Sequence, residues 1–194
     1  EPTSVCNAAC PMCARNINGG EDNPWLQNAE LSLTDIITIF PDQFIQQLNH
    51  MFMCGNYGDP IVAKDTLKVF KHFRSVNPTI YLSMNTNGSA RTKQWWKDLA
   101  EVIGTDGYVI FSIDGLEDTN YLYRKNTIWD KIMENAKSFI DAGGIAHWEY
   151  IVFEHNEHQV EEARRLSEQM GFQLKHHLGS FRVSQEALSH TSKH

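Results

Sequence analysis

Cys6-Asn-Ala-Ala-Cys10-Pro-Met-Cys13 places three thiols within eight residues, in C-x3-C-x2-C spacing. Thiolates are soft ligands that suit zinc or an iron–sulfur cluster. A cubane held by protein alone usually takes four cysteines. Three close together, with no fourth nearby, leave one iron open to a substrate or cosubstrate. A zinc site wants four ligands, usually from paired C-x2-C elements, and Cys54 or one of the nine histidines would have to complete it. The count of four cysteines is even, but their clustering, in a chain long enough to need no staples, points to metal rather than cystine. Cys54 ends a candidate strand and reads as a small apolar core residue. His155 and His158 lack a third convergent ligand in sequence, which weighs against a metal site there.

The elements that must position these thiols follow a repeating grammar of short apolar run, polar loop and amphipathic helix. Candidate strands are Pro2–Cys6, Gln47–Cys54, Thr79–Asn85, Gly107–Ile113, Ala146–Phe153 and Gln173–Leu178. Helical patterns lie near Thr34–Ile39, Val62–Ser75, Ala90–Ile103, Ile128–Ala142 and Glu157–Met170. Ser89, Thr127 and Asn156 stand where N-caps are expected, and Gly143 and Gly171 where a helix ends in a left-handed residue. In the last helix Val160, Ala163, Leu166 and Met170 recur at helical spacing between charged residues, which predicts one face packed on a sheet. The alternation implies right-handed βαβ units and a parallel sheet, a (β/α)6 partial TIM barrel. Core residues 1–182 form the expected domain and 183–194 a polar tail. Asn16–Glu30, with Gly19, Gly20 and Pro24, reads as a long loop after the cysteines.

Parallel barrels bind ligands at the carboxyl ends of their strands, so residues just after each strand are the site candidates. Cys54-Gly55-Asn56-Tyr57-Gly58-Asp59-Pro60 supplies glycines that let backbone approach a ligand. Asn85-Thr86-Asn87-Gly88-Ser89 contains an Asn-Gly turn. Ser112 and Asp114 alternate on one face of the fourth strand's end, Arg124 supplies a cation able to pair with a carboxylate, and Glu154-His155-Asn156 follows the fifth strand.

The cysteine spacing on the first loop, together with these downstream loops, resembles the radical SAM superfamily over about Pro2–Leu178. The resemblance implies that Cys6, Cys10 and Cys13 hold a [4Fe–4S] cluster whose open iron chelates S-adenosylmethionine (SAM). Met12 would pack near the adenine, and the Gly58-Asp59 segment would receive the SAM amino group through backbone, with Asp59 replacing the family's frequent glutamate. Asn85 and Asn87 would lie beside SAM and substrate. Ser112 and Asp114 would suit the ribose, Arg124 the methionine carboxylate and Asn156 the adenine edge. The implied reaction is reductive SAM cleavage to a 5′-deoxyadenosyl radical that abstracts hydrogen from a substrate, a peptide first or else a small metabolite. An external reductant of flavodoxin or ferredoxin type is expected. Relatives of the SPASM peptide-maturase type carry further cysteines for auxiliary clusters. This chain has none after Cys54, as expected of a minimal or shortened form. Two rivals are an iron–sulfur electron carrier, which would not need the downstream loops, and a degenerate relative that binds cluster or SAM without turnover.

Composition narrows the setting. A 41% hydrophobic fraction in 194 residues supports one real core. A net charge of −7 without a basic stripe argues against nucleic acid as partner. No apolar run approaches the ~20 residues of a membrane span, and no signal-peptide pattern opens the chain, so a cytoplasmic setting is expected. The first residue is Glu1, so an earlier segment is expected to have been removed or left out of the numbering.

Overall fold

The computed structural model describes residues 1–173 and the backbone of 181–184. Five strands form one parallel sheet in chain order: β1 His50–Met53, β2 Tyr81–Thr86, β3 Gly107–Ser112, β4 Ala146–Ile151 and β5 Phe181–Ser184. Each strand pairs in register with the next, as in Ser83 with Tyr108 and Phe111 with Trp148. The helices are α1 Leu33–Ile39, α2 Asp42–Ile45, α3 Thr66–Val76, α4 Lys93–Ile103, α5 Asn120–Tyr123, α6 Trp129–Asp141 and α7 Val160–Met170, the last preceded by a 3-10 turn at Glu157–Gln159. An unbroken sequential order, with no switch in winding direction, is that of a barrel arc rather than a doubly wound sheet.

One face of the sheet is apolar because alternate strand residues are apolar. Leu82, Met84, Val109, Phe111, Ala146, Trp148 and Tyr150 are buried with Phe70, Trp96, Leu99, Ile132 and Phe139 from the covering helices. By the two-residue period of a strand, the opposite face carries Ser83, Asn85, Tyr108, Ser112, His147 and Glu149. That polar face is where a ligand can sit.

The expected first strand does not join the sheet. Pro2 has no N–H to give a ladder, and the polar residues beside it bond elsewhere. Thr3 bridges Glu30 in antiparallel fashion, its hydroxyl donates to the Ala29 carbonyl at 2.9 Å, and the Ser4 hydroxyl donates to Gln27 at 2.8 Å. The long loop after the cysteines is thereby tied to the segment before them. Of the expected strand Gln173–Leu178 only Gln173 is described, its N–H donating to the Ala146 carbonyl at 2.8 Å; the rest lies outside the described residues. β5 runs through Ser184, past the expected boundary at residue 182, and the remainder of the expected tail lies outside the described residues.

Two helices start later than their patterns suggest, for tertiary reasons. The carbonyls of Ile61, Val62 and Ala63 accept hydrogen bonds from the Arg91 guanidinium, so α3 begins only at Thr66. Arg91 itself has φ +72, which ends any helix begun at Ala90. Thr92, not Ser89, caps α4 by accepting from Trp95 N–H. Ser89 instead accepts from Ile128 N–H at 2.8 Å. Thr127 makes no cap for α6, since its hydroxyl donates to the Arg124 carbonyl at 2.6 Å. Gly143 and Gly171 close their helices with φ +91 and +87.

Candidate functional site

The carboxyl ends of β1, β2 and β3 converge with the cysteine loop on a cavity of about 240 Å³. Cys6, Cys10 and Cys13 line one wall, and Gly58, Asp59, Asn85, Asn87, Ser112 and Arg124 line the others. Nine residues expected from sequence thus share one space. All four cysteines are free thiols. Among the described residues no three His, Cys, Asp or Glu side chains converge tightly enough for a single metal ion. A cubane asks for something different, because its three thiolates bind three separate irons.

The cysteine loop is held from several sides. Cys13 N–H donates to the Cys10 carbonyl at 3.0 Å, and Ala9 N–H donates to the Lys125 carbonyl at 3.0 Å. Ala8 N–H lies 3.3 Å from Cys6 Sγ. The Asn87 amide reaches Cys6 Sγ at 3.7 Å and Asn7 Oδ1 at 3.0 Å. Beyond the loop, the buried Arg15 donates to the Ser4 carbonyl, to Asn28 Oδ1 and to Asp22 at 2.9 Å. It joins the chain before Cys6 to the chain after Cys13.

Asp59 is buried and spans two loops. Its oxygens accept Asn87 N–H at 2.7 Å and Ile61 N–H at 3.1 Å, and its own N–H donates to the Val5 carbonyl at 3.0 Å. Burial pushes its carboxyl above the usual range, against the pull of these donors. Its acceptors face its own scaffold, which leaves backbone, not this carboxylate, for a ligand. A Cβ on Gly58 would lie 1.9 Å from the Thr3 carbonyl oxygen, so only glycine permits this close approach to the N-terminal segment. The Tyr57 and Gly58 N–H groups donate to Glu1 Oε1 at 2.6 and 2.7 Å.

Asp114 and Asn156 do not line the cavity; they lie behind it. Asp114 accepts from Arg124 Nε at 2.6 Å and from Ile151 N–H at 2.6 Å. The Asn156 side chain is fully committed: Nδ2 donates to the Asp114 and Ile151 carbonyls, and Oδ1 accepts Phe153 N–H. It ties the ends of β3 and β4 together, a role its expected capping position did not reveal. Met12 is 50% exposed and is not part of the cavity lining. Cys54 is half-buried just past β1, outside the cavity.

Five further residues line the cavity, and Gly55 and Tyr57 come from the loop after β1. Ala8 sits between the cysteines, Thr86 within the Asn-Thr-Asn run, and Tyr123 just before Arg124. Tyr123 packs against Phe153 with ring centroids 4.3 Å apart and planes tilted by 40°, a pairing across 30 residues that no local pattern could signal.

Burial governs the site's charges. It pushes the Cys6 thiol up to about 12, with Asp59 adding to the effect. It also raises Cys10, which the nearby Arg124 guanidinium pulls back, and lifts Tyr123 to about 12. In the buried Arg124–Asp114 pair, burial raises the carboxyl and works against the guanidinium's charge, which Asp114 and Cys10 more than restore. These two tendencies oppose one another. We take the pair as ionised, because a guanidinium does not release its proton and Asp114 holds two N–H donors. Metal binding to the thiols must displace protons, so it is favoured by rising pH.

The residues fit the cluster and cosubstrate that the sequence implies. Three free thiols face one cavity, and Asn85 Oδ1, on the same cavity, is buried without a hydrogen-bond partner among the described residues. Such an orphaned acceptor calls for a donor from a ligand or water. A wider surface hollow of about 860 Å³ lies between Leu116–Asp118, Trp129 and α7. It contains none of the candidate residues.

A family model described as the Radical SAM superfamily matches residues 1–167. Among solved structures, Streptococcus suis SuiB bound to precursor peptide SuiA is similar at 16% identity and TM-score 0.70, over 94% of this chain and 37% of that one. SuiB bound to S-adenosylmethionine is similar at 16% identity and TM-score 0.69, over 96% and 40%. The methyltransferase TsrM from Kitasatospora setae, solved with cobalamin and a [4Fe–4S] cluster, is similar at 9% identity and TM-score 0.62, over 94% and 35%. The chain spans less than half the length of these proteins. No curated protein matches it.

Proposed function

The chain belongs to the radical SAM superfamily, and on that premise we propose that it cleaves SAM reductively to act on a substrate held at the barrel mouth, with a peptide as the favoured substrate class. The family uses a [4Fe–4S] cluster and SAM. Together, when bound, these supply a 5′-deoxyadenosyl radical that abstracts a hydrogen atom. The single observation that carries the reading is the convergence of three free thiols with the polar ends of β2 and β3 on one cavity.

The chain's own residues would bind, orient and shield. Cys6, Cys10 and Cys13 would ligate three irons. Backbone of Gly55–Asp59 would receive the methionine amino group, since the Asp59 oxygens already accept from Asn87 and Ile61. Arg124 has five N–H donors and spends one on Asp114 and one toward Cys10, so its fork retains donors for a carboxylate. Ser112 and Asn85 would meet ribose hydroxyls, the latter through its unpartnered Oδ1. Asn87 would stand between ligand and Cys6. Asp114 and Asn156 would act from behind, by fixing Arg124 and the β4 end. Met12, at the surface, would contribute to the adenine only if its loop closed over the ligand.

A peptide is favoured because SuiB, similar across nearly this whole chain, was solved with a precursor peptide. An external one-electron donor of flavodoxin or ferredoxin type would supply the electron. Reconstitution with iron and sulfide, then dithionite and SAM under anaerobic conditions, tests the reading. Formation of 5′-deoxyadenosine that Cys10→Ala abolishes is the expected result. A brown cluster with intact SAM would favour the non-cleaving alternatives.

A further inference from the structure

Arg124 is a largely buried cation next to a proposed cluster ligand, and its pose is over-determined. Its Nη1 lies 3.7 Å from Cys10 Sγ. Its Nε donates to Asp114 Oδ2 at 2.6 Å, and the side chain is 17% exposed against 0% for Asp114. Asp114 is fixed in turn: its other oxygen accepts Ile151 N–H at 2.6 Å, and its N–H donates to Asn120 Oδ1 at 2.9 Å. The backbone is clasped as well, with Arg124 N–H donating to the Asn120 carbonyl at 2.8 Å and Lys125 accepting from Ala9, the residue before Cys10. The segment after β3 thus grips the cysteine loop by main chain and presents a permanent positive charge to one sulfur. Neither Cys6 nor Cys13 receives a cationic donor among the described residues; their contacts are neutral amides and a carbonyl.

We infer that Arg124 sets the reduction potential of the cluster by hydrogen bonding and charge at Cys10, in addition to any part it plays with SAM. The inference rests on the reading that Cys6, Cys10 and Cys13 hold the cluster. Hydrogen bonds to cluster sulfurs and local net charge are two of the protein's means of moving an iron–sulfur potential. One-electron reduction, by an external donor of flavodoxin or ferredoxin class, adds one negative charge to the cluster and breaks no bond. A guanidinium against Cys10 stabilises that added charge more than the oxidised state. Because the site is buried, the effect is little screened by solvent. Arg124 therefore makes the cluster easier to reduce.

The test is an anaerobic redox titration followed by electron paramagnetic resonance, on the reconstituted full chain without SAM, comparing the parent with Arg124→Gln. Leaving SAM out separates this role from carboxylate binding. The expected result is an at least tenfold shift of the reduction equilibrium toward the oxidised cluster in Arg124→Gln, about 59 mV lower in midpoint, at equal iron content. An unchanged midpoint with an intact cluster overturns the inference. Should Arg124→Gln fail to hold a cluster, pulsed resonance on the parent labelled with 15N-arginine decides: a nitrogen coupling to the reduced cluster that vanishes in Arg124→Lys supports the contact, and its absence from the parent overturns it. A parent that takes up no cluster at all would overturn the ligand reading itself, a separate and recognisable outcome.

Discussion

Asp59 shows how much one side chain can be asked to join. Its two oxygens hold N–H groups on different loops, and it is 5% exposed. Replacing Asp59 by Asn leaves only one acceptor oxygen, so one of those N–H groups would face an amide NH2. The expected cost is about 1–3 kcal/mol, the usual penalty for a buried donor left unmet. Urea unfolding of the cluster-free protein measures it, and an unchanged midpoint would sink this account of Asp59. Gly58 poses a steric rather than a polar problem. The methyl group of Gly58→Ala would meet backbone at 1.9 Å, the Thr3 carbonyl, so the segment leading into Cys6 must move. Expected outcomes are a loss of about 1–3 kcal/mol from overpacking and reduced iron uptake on reconstitution. Full iron loading at parental stability would contradict both.

At the scale of elements, helix starts are set by competition for hydrogen bonds. Ser89 is the cap expected from sequence, yet it is Thr92 that caps α4. Thr92→Ala should cost about 1 kcal/mol. Ser89→Ala should instead loosen the start of α6, where Ile128 N–H loses its acceptor. Amide hydrogen exchange distinguishes them: α4 amides should exchange faster in the first variant, and the Ile128 amide in the second. At α1, Ser32 and Asp35 form a reciprocal capping box. Hydrogen bonds from the Ser32 side chain and N–H hold the Asp35 carboxyl below its usual range. A carboxyl with a depressed folded value stabilises above the ordinary carboxylate range, and the contribution disappears as pH falls through the folded value. The stability gap between the parent and Asp35→Asn should therefore shrink as pH falls through that range. A gap constant from neutral pH to pH ~3 would show that the charged capping box is not what Asp35 supplies.

Over the whole molecule, the cysteine loop connects parts of the chain that are far apart in sequence. Its thiols belong to residues 6–13, while its contacts come from Asn56, Asn87, Arg124 and Lys125. A group bound only by the folded arrangement stabilises it by mass action. Reconstitution should raise the thermal midpoint of the protein, and Cys6→Ala should remove the increase. Equal midpoints for the reconstituted and cluster-free parent would mean that the thiols do not act together. Among the described residues no helix is long and apolar enough to cross a membrane.

Much of this was readable from sequence because it is local. The C-x3-C-x2-C spacing, the two-residue alternation of Leu82, Ser83, Met84 and Asn85, and the helical recurrence of Val160, Ala163 and Leu166 are properties of neighbouring residues. They determined the parallel α/β layout, the thiolate chemistry on offer and the strand ends at which a ligand is expected. Tertiary structure decided what depends on distant partners. Pro2–Cys6 pairs with the 27–30 loop instead of the sheet, since Thr3 and Ser4 find acceptors there. Asn156 and Asp114 stand behind the cavity, because their polar groups are taken by β3 and β4 ends. Tyr123 lines the cavity while its ring packs against Phe153. Local patterns record which groups a segment offers; which of them remain available to a ligand depends on which donors and acceptors folding brings alongside.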